Sequence, residues 1–196
     1  ATERSARLQG NLGRSLSNAT IFTVARYLNN SSSSRYIYAF GTINFSGLMM
    51  TLARTGTDDA THYDGAATWV GPNSIPGTGF RVYSQVFGED GADRHRLAVD
   101  GRTVIESRTT VGRPYSVSAT NVILGKYLTS TLGFGGDLEE WLVYDRVLTP
   151  EERRDVEEYL RQRARLAPFY TPGSIDLRAA ETVNYDIGPD PSAVWQ

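Results

Sequence analysis

Phe134-Gly135-Gly136-Asp137-Leu138-Glu139-Glu140-Trp141-Leu142-Val143-Tyr144-Asp145-Arg146-Val147-Leu148-Thr149-Pro150-Glu151-Glu152-Arg153 holds two kinds of local order in one short run. Leu138 to Tyr144 carries Trp, Leu, Val and Tyr, residue types that suit a half-buried strand. Thr149 then offers a side-chain oxygen to the orphan N–H groups of a helix start. Pro150 has the fixed φ of a first turn, and Glu152 completes a capping box with Thr149. Val156, Tyr159 and Leu160 recur at helical spacing as an apolar face, with Leu166 near the end. Glu151 and Glu152 sit at the positive end of the dipole, and Arg161, Arg163 and Arg165 near the negative end. The spacings Arg153–Glu157 and Glu157–Arg161 predict surface pairs on a solvated flank.

Upstream of this helix the chain reads as β. His95 to Val99 and Arg102 to Glu106 flank Asp100-Gly101, the signal for a tight hairpin turn with positive φ. Thr20 to Leu28, Arg35 to Phe40, Gly47 to Arg54, Phe80 to Phe87 and Asn121 to Lys126 are further strands. In Phe80 to Phe87 the alternation puts Phe80, Val82 and Val86 on one side and Arg81, Tyr83 and Gln85 on the other. Thr55 to Gly79 reads as mostly loop, and Asn29 to Ser34 as a polar loop. With Leu138 to Tyr144 these strands predict an all-β jelly-roll sandwich with one C-terminal amphipathic helix.

Two segments carry a family resemblance. Arg96-Leu97-Ala98-Val99-Asp100-Gly101-Arg102-Thr103-Val104 resembles the "V-D-G-x-x-V" hairpin of laminin-G-like domains in the concanavalin A-like lectin/glucanase superfamily. The stretch from Phe134 to Arg153 resembles that family's closing strand and helix. The resemblance runs from about Thr20 to Leu166. It implies a concanavalin A-like sandwich over residues 1–167, in which Tyr144, Leu148 and the helix close one end. It implies no single function, since such domains serve as sugar-binding modules, adhesion domains and parts of secreted hydrolases or microbial and viral surfaces. Domains like this carry more sequence before the first recognised strand. Here only Arg7 to Gly10 stands for the end of an early strand. Residues 168–196 form an extended C-terminal tail, read either as a linker or as an assembly segment covering an open edge in the same or a neighbouring copy.

The bulk numbers set further bounds. A chain of 196 residues with 40% hydrophobic content has the composition of one globular domain. Net charge is −2, which gives nucleic acid no electrostatic footprint to follow. All the basic residues but Lys126 are arginine, and no function is read from that. Cysteine is absent, so disulfides, thiol catalysis and Cys-ligated zinc are excluded. No apolar run is long enough to insert in a membrane. The opening Ala1-Thr2-Glu3-Arg4 reads as a mature start after leader removal or as a cut in a longer chain.

Catalytic patterns are scarce. Glycoside hydrolysis needs two carboxylates flanking the bond, and the superfamily's Glu-x-Asp-x-x-Glu is absent. His62 and His95 are the only histidines, which leaves little for a lyase. Sugar binding needs aromatic platforms beside polar groups, and His62, Tyr63, Asp64 and Trp69 form the expected patch, although Trp69 also suits the core. Trp141 is expected to pack. The resemblance implies a Ca²⁺ near the sandwich rim. Asp58, Asp59 and Asp64, or Glu89, Asp90 and Asp93, offer the oxygen ligands. Asn18, Asn29, Asn30 and Asn44 begin glycosylation sequons.

The expectation is therefore a non-catalytic, extracellular carbohydrate-binding or adhesion module, whose partner is a glycan or cell-surface polysaccharide. The alternative is a structural subunit of a filament, coat or virion that joins copies of itself through the tail. A glycan-cleaving enzyme ranks third.

Overall fold

The computed structural model describes residues 8–14, 16, 18–28, 35–40, 49–52, 60–63, 68–71, 77–89, 94–108, 121–125 and 134–166. In chain order the strands are β1 (Leu8–Asn11), β2 (Ala19–Tyr27), β3 (Arg35–Phe40), β4 (Met49–Leu52), β5 (Ala60–Tyr63), β6 (Thr68–Gly71), β7 (Arg81–Glu89), β8 (Arg94–Val99), β9 (Arg102–Arg108), β10 (Asn121–Leu124) and β11 (Gly136–Tyr144). One helix, α1 (Pro150–Arg163), follows. The strands form two antiparallel sheets, ordered β1-β10-β3-β4-β5-β6 and β11-β2-β7-β8-β9. This is the jelly-roll sandwich the sequence predicts.

One expectation changes, and the early strand expected at Arg7 to Gly10 is present. The stretch 55–79, read as mostly loop, contains β5 and β6, which pair with β4 and with each other. Both strands are only four residues long, too short for a period-2 pattern to stand out between glycines and aspartates. The polar opening of the chain contains β1, which pairs along all four residues with β10 and stays exposed. The tail segment Ser174 to Asp186, read as a possible strand, lies outside the described residues.

β2 shows why a near-continuous apolar run suits this fold. Eight of its nine residues are buried, because both faces are covered. Ile21 and Ala25 enter the space between the sheets, whereas Phe22 and Val24 join Leu148 and Leu160 beneath α1. The inter-sheet core gathers Tyr38, Phe40, Tyr83, Phe87 and Leu97, with Trp141 packed against it.

The hairpin turn has the predicted geometry. Asp100 and Gly101 both have positive φ, 50° and 76°. Asp100 is locked there because its carboxylate accepts from the Val82 N–H at 3.0 Å and from the Arg81 guanidinium. At the other end of the decisive segment, Gly136 is required by a close approach: a Cβ there would lie 2.0 Å from the Arg26 carbonyl oxygen.

β11 carries the irregularity that positions the site. Its pairing with β2 shifts between Leu138 and Glu140, so Glu139 is an extra residue. A one-residue insertion reverses which face each later residue occupies. Leu138 before the bulge and Trp141 and Val143 after it therefore share the inter-sheet core. Leu142 and Tyr144 are turned toward α1. Trp141 meets Tyr38 and Phe40, each at 5.8 Å between ring centroids, so it packs as expected.

Candidate functional site

Of the residues first singled out, His62 and Tyr63 fall on β5 and Trp69 on β6. The pairings of β3, β4, β5 and β6 place Tyr38, Met50, His62 and Trp69 in one register row. Tyr63 and Thr68 pair in the next row. Asp64, Asp58, Asp59, Asp90 and Asp93 lie outside the described residues. β5 begins after Asp59 and ends before Asp64. Glu89 ends β7. Among the described residues no three His, Asp or Glu side chains converge as a metal site would require. His95 is fully buried, with its ring 5.5 Å from that of Phe87, consistent with the structural role expected of it.

A different surface combines aromatic and polar groups. α1 crosses the outer face of the five-stranded sheet, with Arg153, Glu157 and Leu160 buried against it. These residues are four and three apart, one helical stripe. The neighbouring stripe, Glu152, Asp155, Val156, Tyr159 and Gln162, overhangs the edge strand β11. Between this stripe and Leu142 and Tyr144 on β11 runs a groove of about 730 Å³, within the size range of small-ligand sites.

The end of the groove is fixed by a chain of hydrogen bonds. Thr20 on β2 is fully buried; its hydroxyl donates to the Arg146 carbonyl at 3.0 Å and accepts from the Leu148 N–H at 2.9 Å. Arg146 reaches back to Glu152 with two parallel bonds of 2.7 Å. Glu152 also accepts from the Thr149 N–H at 2.8 Å, while Thr149 accepts from the Glu152 N–H at 3.2 Å, which is the predicted capping box. The Arg146 guanidinium first, and the Thr149 N–H second, hold the Glu152 carboxyl down at about 2. At the other end, Arg163 bonds Glu140 of β11 at 3.0 Å and the Tyr159 hydroxyl at 3.2 Å.

The two tyrosines differ. Tyr144 is half-buried, its ring 5.9 Å from Phe22 in an edge-to-face contact, and burial raises its hydroxyl pKa. Tyr159 is 48% exposed. Val156, Tyr159 and Leu160 are all expected on the apolar face of the helix; Leu160 is buried there, whereas Tyr159 stands at the groove wall. The flanking charges also depart from expectation. Glu157 is buried and accepts from the Ser84 hydroxyl at 2.5 Å, and Arg161 pairs with Glu158 instead. Helical spacing alone gives the stripe but not its rotation relative to the sheet, so Tyr159 and Glu157 exchange the roles read from sequence.

No family profile and no curated relative matches this chain. Solved structures do resemble it. A heptameric SAP-like pentraxin from Limulus polyphemus has a TM-score of 0.60 and 17% identity, covering 77% of this chain and 75% of that one. The CBM40 module of the Ruminococcus gnavus IT-sialidase, bound to α2,3-sialyllactose, has a TM-score of 0.58 and 17% identity, covering 72% and 83%. The binding domain of botulinum neurotoxin serotype G has a TM-score of 0.59 and 11% identity, covering 81% and 41%. At these identities the shared property is the fold, a jelly-roll β-sandwich.

Proposed function

We propose that this domain is a non-catalytic carbohydrate-binding module acting outside the cell, with the groove between β11 and α1 as its sugar face. The observation that carries the reading is the composition of that groove. It sets Tyr144 and Tyr159 beside Asp155, Glu158 and Gln162. Aromatic rings present apolar faces to the C–H faces of a pyranose, and planar carboxylate and amide groups take its hydroxyls in paired hydrogen bonds. The floor is largely apolar and held by the Arg146–Glu152 and Glu140–Arg163 pairs, so little ordering cost falls on binding. The likeness to a carbohydrate-binding module over 83% of that module's length supports the same reading.

A non-catalytic role rests on the chemistry of the groove. Cleavage of a glycosidic bond requires one carboxyl held protonated and another ionised beside it. Glu152 is held ionised by Arg146, and the Glu158 carboxyl is lowered by its bonds to Arg161. Neither is poised as an acid. The test is a printed glycan array probed with the labelled protein, with and without calcium. Retention on a restricted set of glycans, without release of reducing sugar, is the expected result. Absence of binding to every glycan in both conditions would contradict the proposal.

A further inference from the structure

Resting on the reading of the groove as a sugar face, we infer that it selects neutral glycans and rejects acidic ones such as sialylated or uronic chains. The charges that line it decide this. Among the described lining residues Arg146 is the one base, against three carboxylates, Glu152, Asp155 and Glu158. That guanidinium is already engaged on two of its nitrogens by Glu152, at 2.7 Å each. Glu158 is in turn bonded by Arg161, so an acidic sugar entering the groove would meet the Asp155 carboxylate, with no uncommitted cation among the described lining residues to receive its own. Like charges brought together at a partly desolvated interface are strongly unfavourable, and this is how a site excludes the wrong partner. A neutral sugar meets no such opposition. Its hydroxyls donate to Asp155 and accept from the Gln162 amide, while its apolar face lies against the exposed ring of Tyr159. The Ruminococcus gnavus module is bound to sialyllactose. On this inference the present domain shares that module's fold and has the opposite charge preference.

The experiment uses the full chain on an array that pairs each neutral glycan with its sialylated form, lactose with α2,3-sialyllactose among them. Isothermal titration then measures the best neutral binder and its acidic partner. The neutral form is expected to bind at least about tenfold more tightly, with the gap narrowing as salt rises. Tyr159→Ala, at an exposed position whose loss leaves the core intact, is expected to weaken neutral binding by about tenfold or more. Asp155→Arg is expected to shrink the gap by restoring acidic binding, and thermal melts of both variants establish that they are folded. A preference for the acidic forms would overturn the inference. So would neutral binding that Tyr159→Ala and Asp155→Arg leave unchanged, although carbohydrate binding itself would then stand and move to another face. Failure to bind any glycan, neutral or acidic, removes the underlying reading and the inference with it.

Discussion

On β7, Tyr83, Gln85 and Phe87 belong to the face between the sheets, while Val82, Ser84 and Val86 lie beneath α1. One strand thus supplies two environments of different character. Toward the other sheet the packing is dense and aromatic. There neither the Tyr83 hydroxyl nor either polar atom of the Gln85 amide finds a partner among the described residues. Loss of water on burial first, and the Asp100 carboxylate second, push the Tyr83 hydroxyl pKa far up. Toward the helix, the polar groups are specifically matched. Ser84 bonds Glu157, and the capping box and the Arg146–Glu152 pair hold the helix start. The inner face specifies the sandwich through shape, and the helix face sets the position of one element through directed bonds. A surface held by directed bonds can leave a gap between its parts, and the groove is that gap.

The largest expected effect sets the scale of the inner face. Phe87 is fully buried among the core aromatics. Phe87→Ala should cost about 3–5 kcal/mol in chemical denaturation, through lost transfer energy and the cavity left behind. A loss below about 1 kcal/mol would mean the inter-sheet core is not what holds the domain.

Next comes the bond that joins the helix to the sheet. Ser84→Ala removes the hydroxyl donor from the buried Glu157 carboxylate. It should cost about 1–3 kcal/mol, the penalty of a buried acceptor losing a partner. Equal stability in equilibrium unfolding would show that the helix is seated by apolar contacts alone.

The capping box is smaller and depends on pH. Thr149→Ala should cost about 1 kcal/mol. Glu152 has a folded-state pKa of about 2, below its ordinary 4.5. Its contribution is therefore complete above 4.5 and lost as pH falls toward 2. Melting curves of the parent and Glu152→Gln should differ at neutral pH and converge across that interval. A constant difference down to pH 2 would sever the link between Glu152 ionisation and the helix start.

Gln85→Met gives the smallest change and the sharpest contrast with Ser84→Ala. An amide with no partner among the described residues contributes little to a core, so an apolar side chain of similar length should leave stability unchanged or slightly raised, within about 1 kcal/mol. A loss of several kcal/mol would show that the inner face relies on polar bonds as the helix face does.

Much of the sandwich was legible because its signals are local. Asp100-Gly101 needs positive φ, and Thr149-Pro150-Glu151-Glu152 needs only adjacent atoms, so both features stand where the sequence places them. β5 and β6 were missed because four residues do not establish a period. The expected patch of His62, Tyr63, Asp64 and Trp69 was drawn by proximity in sequence, and the register pairs His62 with Trp69 and Tyr63 with Thr68 across β5 and β6. The groove was hidden for the converse reason. Tyr144 and Tyr159 come from a strand and a helix, and their meeting depends on a bulge at Glu139 and on the rotation of α1. A reader of the sequence could have noted that Glu139-Glu140 interrupts the alternation between Leu138 and Trp141. That interruption is the one signal that predicts which side Tyr144 takes.

The most direct test is a heteronuclear NMR titration of the ¹⁵N-labelled protein with the neutral glycan that binds best on the array. The account predicts that the perturbed amides cluster along Leu142 to Leu148 and Glu152 to Gln162, the two walls of the groove. Perturbations concentrated instead in residues 49–71 would return the sugar to the β4–β6 surface and contradict the assignment.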